Sequence, residues 1–333
     1  MVLFSVRKLY FRPVLKYLGH LISVLLLCLG NVWAAKYAGD AFSLGVGGRA
    51  LALGGAVVAG PFDATTAYWN PAGMSQLNGR YLVFMHAETF GSLLNHDYIS
   101  YIDARERSGS IIRAIGFYVY YLGGGGIKIT DTLANGRPFV VREESHGDFL
   151  FSAALSGRIA GRIDFGLAAK IIYRHIPSRT GKGLTVDAGL LYQAHTNINL
   201  GLMVTDITTG FIRYSGQESE DTVNYESIYP TVKPGVMYEY SYSDFTGRFL
   251  VSGDIKFENL KAASQYWSGP VSIDTHYGWE LGYKKMLFGR FGFDIGRFTA
   301  GGGLDIEHFT IDFAYLHHDE LNETYRVSAG YRF

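Results

Sequence analysis

The sequence predicts an all-β protein, a transmembrane antiparallel β-barrel of about 14 strands. Three observations carry this prediction. Apolar and polar residues alternate with a period of two in segment after segment, as side chains on successive faces of a strand do. Beyond residue 35 no apolar run reaches the roughly 18 residues that a spanning helix needs. The last nine residues, Tyr325 to Phe333, put Tyr325, Val327, Ala329, Tyr331 and Phe333 on one apolar face that ends in a terminal phenylalanine.

Composition agrees with a barrel and excludes other classes. The 333 residues are 48% hydrophobic and only 18% charged, with 42 glycines, 24 tyrosines and 22 phenylalanines. That much apolar surface excludes a disordered chain, and the glycines follow no collagen-like period of three. Residues 1–34 hold Arg7, Lys8, Arg12 and Lys16 with no acid, so the remainder carries 26 basic and 30 acidic groups. A mildly acidic chain lacks the basic surplus of a nucleic-acid binder, so no nucleic-acid partner is expected.

The first element, residues 1–34, reads as a cleaved signal peptide. Four basic residues precede the apolar run 21–29 (LISVLLLCL), and Val32 and Ala34 stand at −3 and −1 of a cut after Ala34. The run is too short to cross a bilayer as a helix. Cys28, the single cysteine, would leave with the signal, so the mature chain would have no disulfide and no thiol metal ligand.

Residues 35–78 break the alternation. They pass through the glycine-rich stretch 45–56 (GVGGRALALGGA) to Asp63-Ala64-Thr65-Thr66-Ala67-Tyr68-Trp69-Asn70-Pro71-Ala72-Gly73. No Gly-Lys-Ser/Thr ending follows the glycines, which argues against a phosphate loop. Pro71 removes a backbone donor and pushes Asn70 away from helix. Asn70 can hydrogen-bond neighbouring backbone, and Ala72 and Gly73 permit close approach to another surface.

Residues 79–333 hold the strands. In 161–174, Ile163, Phe165, Leu167, Ala169, Ile171 and Tyr173 oppose Arg162, Asp164, Gly166, Lys170 and Arg174. Residues 248–257 and 277–284 repeat the pattern, and 147–158, 184–193, 198–205, 291–296, 298–307 and 309–315 read likewise. A soluble sandwich would turn the apolar face inward, whereas a membrane barrel turns it to lipid. Segments of about 9 to 11 residues match a tilted bilayer-crossing strand. Charges of both signs share the other face, so the membrane barrel is preferred. At about 18 residues per strand and connection, 255 residues give about 14 strands. Longer connections are expected near 123–147, 214–229 and 258–273, outside the cell if the short turns face the periplasm, and segments 126–131 and 210–217 read as either strand ends or loop hairpins.

In 81–85 and 111–122 both faces are apolar, so the lumen there would present Leu82, Phe84, Ile112, Tyr118, Tyr120 and Leu122, or their alternates. Such a patch would hold a greasy ligand or pack against the 35–78 segment. The histidines are scattered, and the adjacent pair His317-His318 would point to opposite faces of a strand. No metal site, cofactor or catalytic residue is expected.

The 35–78 segment, with Asp63, Trp69, Asn70, Pro71, Ala72 and Gly73, resembles the N-terminal region of FadL-like outer-membrane transporters of hydrophobic compounds, and more closely their PorV/PorQ-like branch. Residues 184–192 (LTVDAGLLY), 234–238 (PGVMY), 278–283 (GWELGY) and 311–315 (IDFAY) resemble later strands of that branch. The terminal strand resembles the signal by which barrel-assembly machinery recognises outer-membrane barrels. The resemblance implies a lumen closed by an N-terminal hatch over 35–78, outer-membrane lipid as surroundings, and passive transfer of a small hydrophobic molecule without chemistry. Its PorV-like side implies an alternative, a protein that receives cargo in type IX secretion.

Overall fold

The computed structural model describes residues 39–89, 93–105, 110–159, 161–177, 179–216, 225–258, 260–318 and 323–333. The expected signal peptide, 1–34, and residues 35–38 lie outside the described residues. The strands are β1 (Arg80–Thr89), β2 (Leu94–Asp103), β3 (Ile112–Thr132), β4 (Pro138–Ile159), β5 (Ile163–Ile176), β6 (Arg179–His195), β7 (Ile198–Thr205), β8 (Gly210–Gly216) and β9 (Tyr225–Ile228). They continue with β10 (Thr231–Tyr242), β11 (Phe245–Lys256), β12 (Tyr266–Ser268), β13 (Val271–Tyr283), β14 (Leu287–Asp294), β15 (Arg297–Ile306), β16 (Phe309–Leu316) and β17 (Thr324–Arg332).

Neighbouring strands pair antiparallel, and β1 pairs with both β2 and β17, so the sheet closes on itself. Strand β7 pairs directly with β10, and β11 with β13, which leaves β8, β9 and β12 as outworks on β6 and β13. Fourteen strands therefore make the barrel wall. Closure satisfies the backbone N–H and C=O groups of the wall within the sheet, which the hydrocarbon interior of a bilayer requires.

The outer surface is apolar: Phe117, Phe151, Leu167, Ile171, Phe249 and Phe313 all point outward and are exposed. Aromatic rings interlock along it, with Phe249, Trp279 and Phe291 at centroid distances of 5.2 and 4.8 Å. The inner face carries Asp164, Lys170, Asp187, Glu280, Arg290 and Arg326, all buried. The alternation thus has the polarity of a membrane barrel.

The two rims differ. One has tight turns such as 243–244 and 307–308, with Ser243 and Glu307 at φ 54°, suited to two-residue hairpins that follow the strand twist. The other carries the long excursions. Stretch 123–147, expected as a connection, is strand for most of its length: β3 and β4 continue as a paired ribbon out to Thr132 and Pro138, turning at 133–137. Its glycine run makes a register shift between Gly124 and Ile127 and does not end the ladder. Within 214–229 the described part adds β8 and β9, and 258–273 contains a 3-10 turn and β12.

Candidate functional site

Residues 39–78 are built from short helical pieces, Asp40–Phe42, Gly48–Ala52, Thr66–Trp69 and Pro71–Gln76, none long enough to stand alone. They pack against inward-facing residues of the wall, so tertiary contact holds them. Gly48 N–H donates to Ser328 Oγ on β17 at 3.0 Å, Gly47 N–H lies 3.0 Å from Met85 Sδ on β1, and Thr299 Oγ1 on β15 donates to the Ala52 carbonyl at 3.1 Å.

The Asn70-Pro71-Ala72 turn is fixed from both sides. Asn70 has extended backbone before Pro71, and its Oδ1 accepts from Ala72 N–H at 3.1 Å, capping the turn that Pro71 starts. Its Nδ2 donates to the Val58 carbonyl at 2.8 Å and reaches the Leu190 carbonyl on β6 at 3.4 Å. Two wall glycines make room for it. A Cβ at Gly189 would lie 2.0 Å from Asn70 Oδ1, and one at Gly166 would lie 2.2 Å from Ala72 N. Asp63 organises the approach: its Oδ1 accepts from Thr65 N–H and Thr65 Oγ1 at 2.7 and 2.6 Å. Gly73 packs on Phe62, and Trp69 Nε1 donates to the Val46 carbonyl at 2.9 Å.

Glu280 on β13 ties the segment to the wall. Its carboxylate accepts from Arg49 Nε and Nη2 at 2.9 and 2.8 Å, from Arg290 Nε at 2.6 Å and from Arg248 Nη1. Arg290 also meets Asp312 at 2.6 Å, and Arg248 meets Glu239 at 2.6 Å. Burial works against the Arg49 charge, but Glu280, Asp63 and Asp312 together offset it and hold the guanidinium above its ordinary value. Bidentate pairing of this kind gives direction as well as strength.

On the opposite wall the patch of aromatic residues meets the segment. Tyr118, Tyr120 and Leu122 of β3 point inward and are buried. Tyr68 stands among Trp69, Tyr98, Tyr118 and Tyr120 with centroid distances of 5.2 to 6.4 Å. Tyr120 Oη donates to the Ala41 carbonyl at 2.6 Å, and Tyr68 Oη to the Phe42 carbonyl at 2.7 Å. Leu82 and Phe84, expected on the lumen side, lie on the outward face of β1, where Phe84 is 50% exposed; Ile112, 39% exposed, also lies outside the buried set. Val83 and Met85 take the inward positions. With both faces of β1 apolar, alternation cannot choose between them. The choice comes from pairing with β17, which sets Met85 opposite inward Ser328 and Phe84 opposite outward Ala329.

Two chambers flank the segment and share no residue. Toward the tight-turn rim, a cavity of about 140 Å³ is lined by Arg49, Asp63, Phe288, Arg290, His308 and Asp312 among others. Toward the long-excursion rim, a cavity of about 190 Å³ is lined by Phe42, Tyr68, Trp69 and Tyr118 together with Lys170, Lys233, Asp254 and His276. Lys170 bonds Asp187 and Asp206 at 2.6 and 2.8 Å, and Lys233 bonds Asp254 at 2.5 Å. The alternating pattern pointed to Lys170, Asp187 and Asp254 and to pairing of such charges across strands, but not to Asp206, Lys233 or the role of Arg49. Among the described residues no cluster of three or more His, Cys, Asp or Glu side chains could hold a metal ion.

A closed barrel with an apolar exterior, an ion-paired lumen and a chain segment filling that lumen defines a transmembrane β-barrel with an occupied interior. Its fold is similar to that of solved hydrocarbon channels. The structure titled CymD monoaromatic hydrocarbon channel matches with TM-score 0.56 at 12% identity, over 87% of this chain and 98% of that one. A deltaS2 mutant of the TodX monoaromatic hydrocarbon channel matches with TM-score 0.54 at 12% identity, over 86% and 99%. At this identity the likeness establishes a common fold. No family model and no curated protein matches the sequence.

Proposed function

We propose that the protein is a passive outer-membrane channel for small hydrophobic molecules, with residues 35–78 as its hatch. The observation that carries this reading is the segment itself, docked across the lumen between two chambers and bonded to the wall at Glu280, Ser328 and Leu190. In the chamber toward the long-excursion rim, Phe42, Tyr68, Trp69 and Tyr118 supply a greasy surface, and passage would require the segment to yield at these bonds. CymD and TodX, which share the fold, are described as monoaromatic hydrocarbon channels. In this reading the long excursions face outward from the cell, the apolar exterior meets membrane lipid, and the barrel-assembly machinery reads Tyr325, Val327, Ala329, Tyr331 and Phe333. No bond is made or broken, so no catalytic residue is assigned. The comparisons lend no support to the PorV/PorQ-like branch or its type IX secretion alternative.

Deleting residues 36–76 tests the hatch. The reading expects a large rise in single-channel conductance, and unchanged conductance refutes it. Uptake of a labelled hydrophobic compound by cells with and without the protein tests the cargo, and equal uptake across a broad panel counts against it.

A further inference from the structure

The 39–78 segment meets the wall along two unlike seams. On β13 and β15 its polar contacts are matched: Arg49 lies on Glu280, His276 Nδ1 lies 3.0 Å from the Gly54 carbonyl, and Thr299 donates to the Ala52 carbonyl. On β1, β2 and β17 they are not. Arg326 of β17 is 2% exposed, and its Nη1 donates to the Gly45 carbonyl at 3.1 Å. The same nitrogen meets His96 Nδ1 on β2 at 2.7 Å, across Ala87 of β1, which stands opposite both residues and is small enough to let them touch. Among the described residues no carboxylate pairs with Arg326.

This seam is costly to close. A guanidinium buried without a counter-charge gives up more hydration than one carbonyl and one imidazole nitrogen return. Guanidinium is a donor only, so His96 Nδ1 must accept. The imidazole is therefore neutral with its proton on Nε2, and Nε2 has no partner. Arg326 Nε and Thr89 Oγ1 on β1 are unpartnered too. Nearby, Gly47 N–H goes to the thioether of Met85, a weak acceptor. Water entering this seam satisfies the orphaned atoms and solvates the charge, and the docked segment keeps it out.

We infer that the hatch pivots on Glu280 and parts first from β1, β2 and β17 at Arg326, which opens the route between the two chambers along that wall. The inference rests on the hatch reading above and names where the hatch yields. The chamber toward the tight-turn rim lies at the foot of this seam, lined there by Gly47, Val83 and Ser328. Parting extends it toward Phe42 and Tyr68 of the other chamber. Arg326 acts as a spring: opening hydrates its charge, closing strips that water away, and the Glu280 bonds hold the closed state against it.

The test places single thiols in the full-length chain with Cys28, its one cysteine, replaced by serine. Ser100→Cys, opposite Val83 in the β1–β2 ladder, and Thr299→Cys on β15 mark the two seams from sites that are each 1% exposed. A small charged methanethiosulfonate should label Ser100→Cys about tenfold faster. Thr299→Cys gives up its bond to Ala52, which biases the comparison against the inference. Equal rates, faster labelling at Thr299→Cys, or labelling at neither site overturn it. Arg326→Met removes the spring, so its open fraction in planar bilayers should fall about tenfold, opposite in sign to Glu280→Gln. Heat-modifiable gel mobility shows whether the variant is folded, and if it is not, the labelling ratio decides alone. An open fraction unchanged or raised in folded Arg326→Met also overturns the inference. Deleting residues 36–76 separates the two claims. If deletion raises conductance while the two thiols label alike, the Arg326 seam falls and the hatch stands. If deletion leaves conductance unchanged, the hatch falls while the labelling ratio still reads which seam opens.

Discussion

Glu280→Gln removes one negative charge from the point where three guanidinium groups meet. Glu280 is fully buried, and Arg290 is 2% exposed, so neither can turn to solvent. Arg290 keeps Asp312 and Arg248 keeps Glu239, each at 2.6 Å. Arg49 loses the ion pair and its bidentate pairing, at 2.9 and 2.8 Å, keeping at most the amide oxygen, for which it competes with Arg248 and Arg290. Breaking one side of a buried pair costs about 3–5 kcal/mol, and here the cost falls on the docking of residues 39–78 rather than on the wall. At about 1.4 kcal/mol per decade, a loss near 3 kcal/mol shifts the docked population roughly a hundredfold. Arg49→Met should act less strongly, by about 1 kcal/mol, because Glu280 keeps two arginines. Planar-bilayer recording should show a longer open fraction in Glu280→Gln than in Arg49→Met, and limited proteolysis should cut the segment faster in the same order. A folded Glu280→Gln barrel with wild-type traces and wild-type protection refutes the reasoning, as does the reverse order of the two variants.

Three further outcomes follow from the same contacts. Gly189→Val puts a side chain where even a Cβ lies 2.0 Å from Asn70 Oδ1; overpacking of about 1–3 kcal/mol should displace the segment and raise conductance without loss of the heat-resistant barrel band. Asn70→Ala removes the cap on Ala72 N–H and the bond to the Val58 carbonyl, so hydrogen exchange at the Ala72 amide should accelerate by about 0.4 to 1.5 decades. Burial raises the Asp40 carboxyl pKa, with Lys256 opposing. A raised carboxyl pKa means that the folded protein holds this proton more tightly, so ionised Asp40 destabilises above its folded pKa and the penalty fades as pH falls toward the unfolded value. Asp40→Asn should therefore melt higher than wild type at neutral pH, with the gap closing below about pH 4; a gap independent of pH contradicts the assignment.

Much of the wall is legible residue by residue. In β5, Ile163, Leu167 and Ile171 are exposed, while Asp164 and Lys170 are buried, and the alternation states both facts before any coordinates. Strand β1 is the counterexample, because Leu82 and Phe84 are as apolar as Val83 and Met85. Only its register with β17 assigns the faces. The 123–147 ribbon shows a second limit. Its glycines and charges read as a long connection with 126–131 either a strand end or a hairpin, and β3 and β4 stay paired past the register shift because each supplies the other's backbone partners.

Alternation, the aromatic and glycine excess and the apolar last strand by themselves determined a membrane barrel of about 14 strands, because period two is a local property that no distant contact alters. Which side of β1 faces the lumen, that Arg49 meets Glu280 across 231 positions of sequence, and that Gly166 and Gly189 clear space for Ala72 and Asn70 were decided only by the closed sheet. These are meetings between segments far apart in the chain. Closure fixes the register of every strand at once, and the register chooses which charges and which gaps face each other.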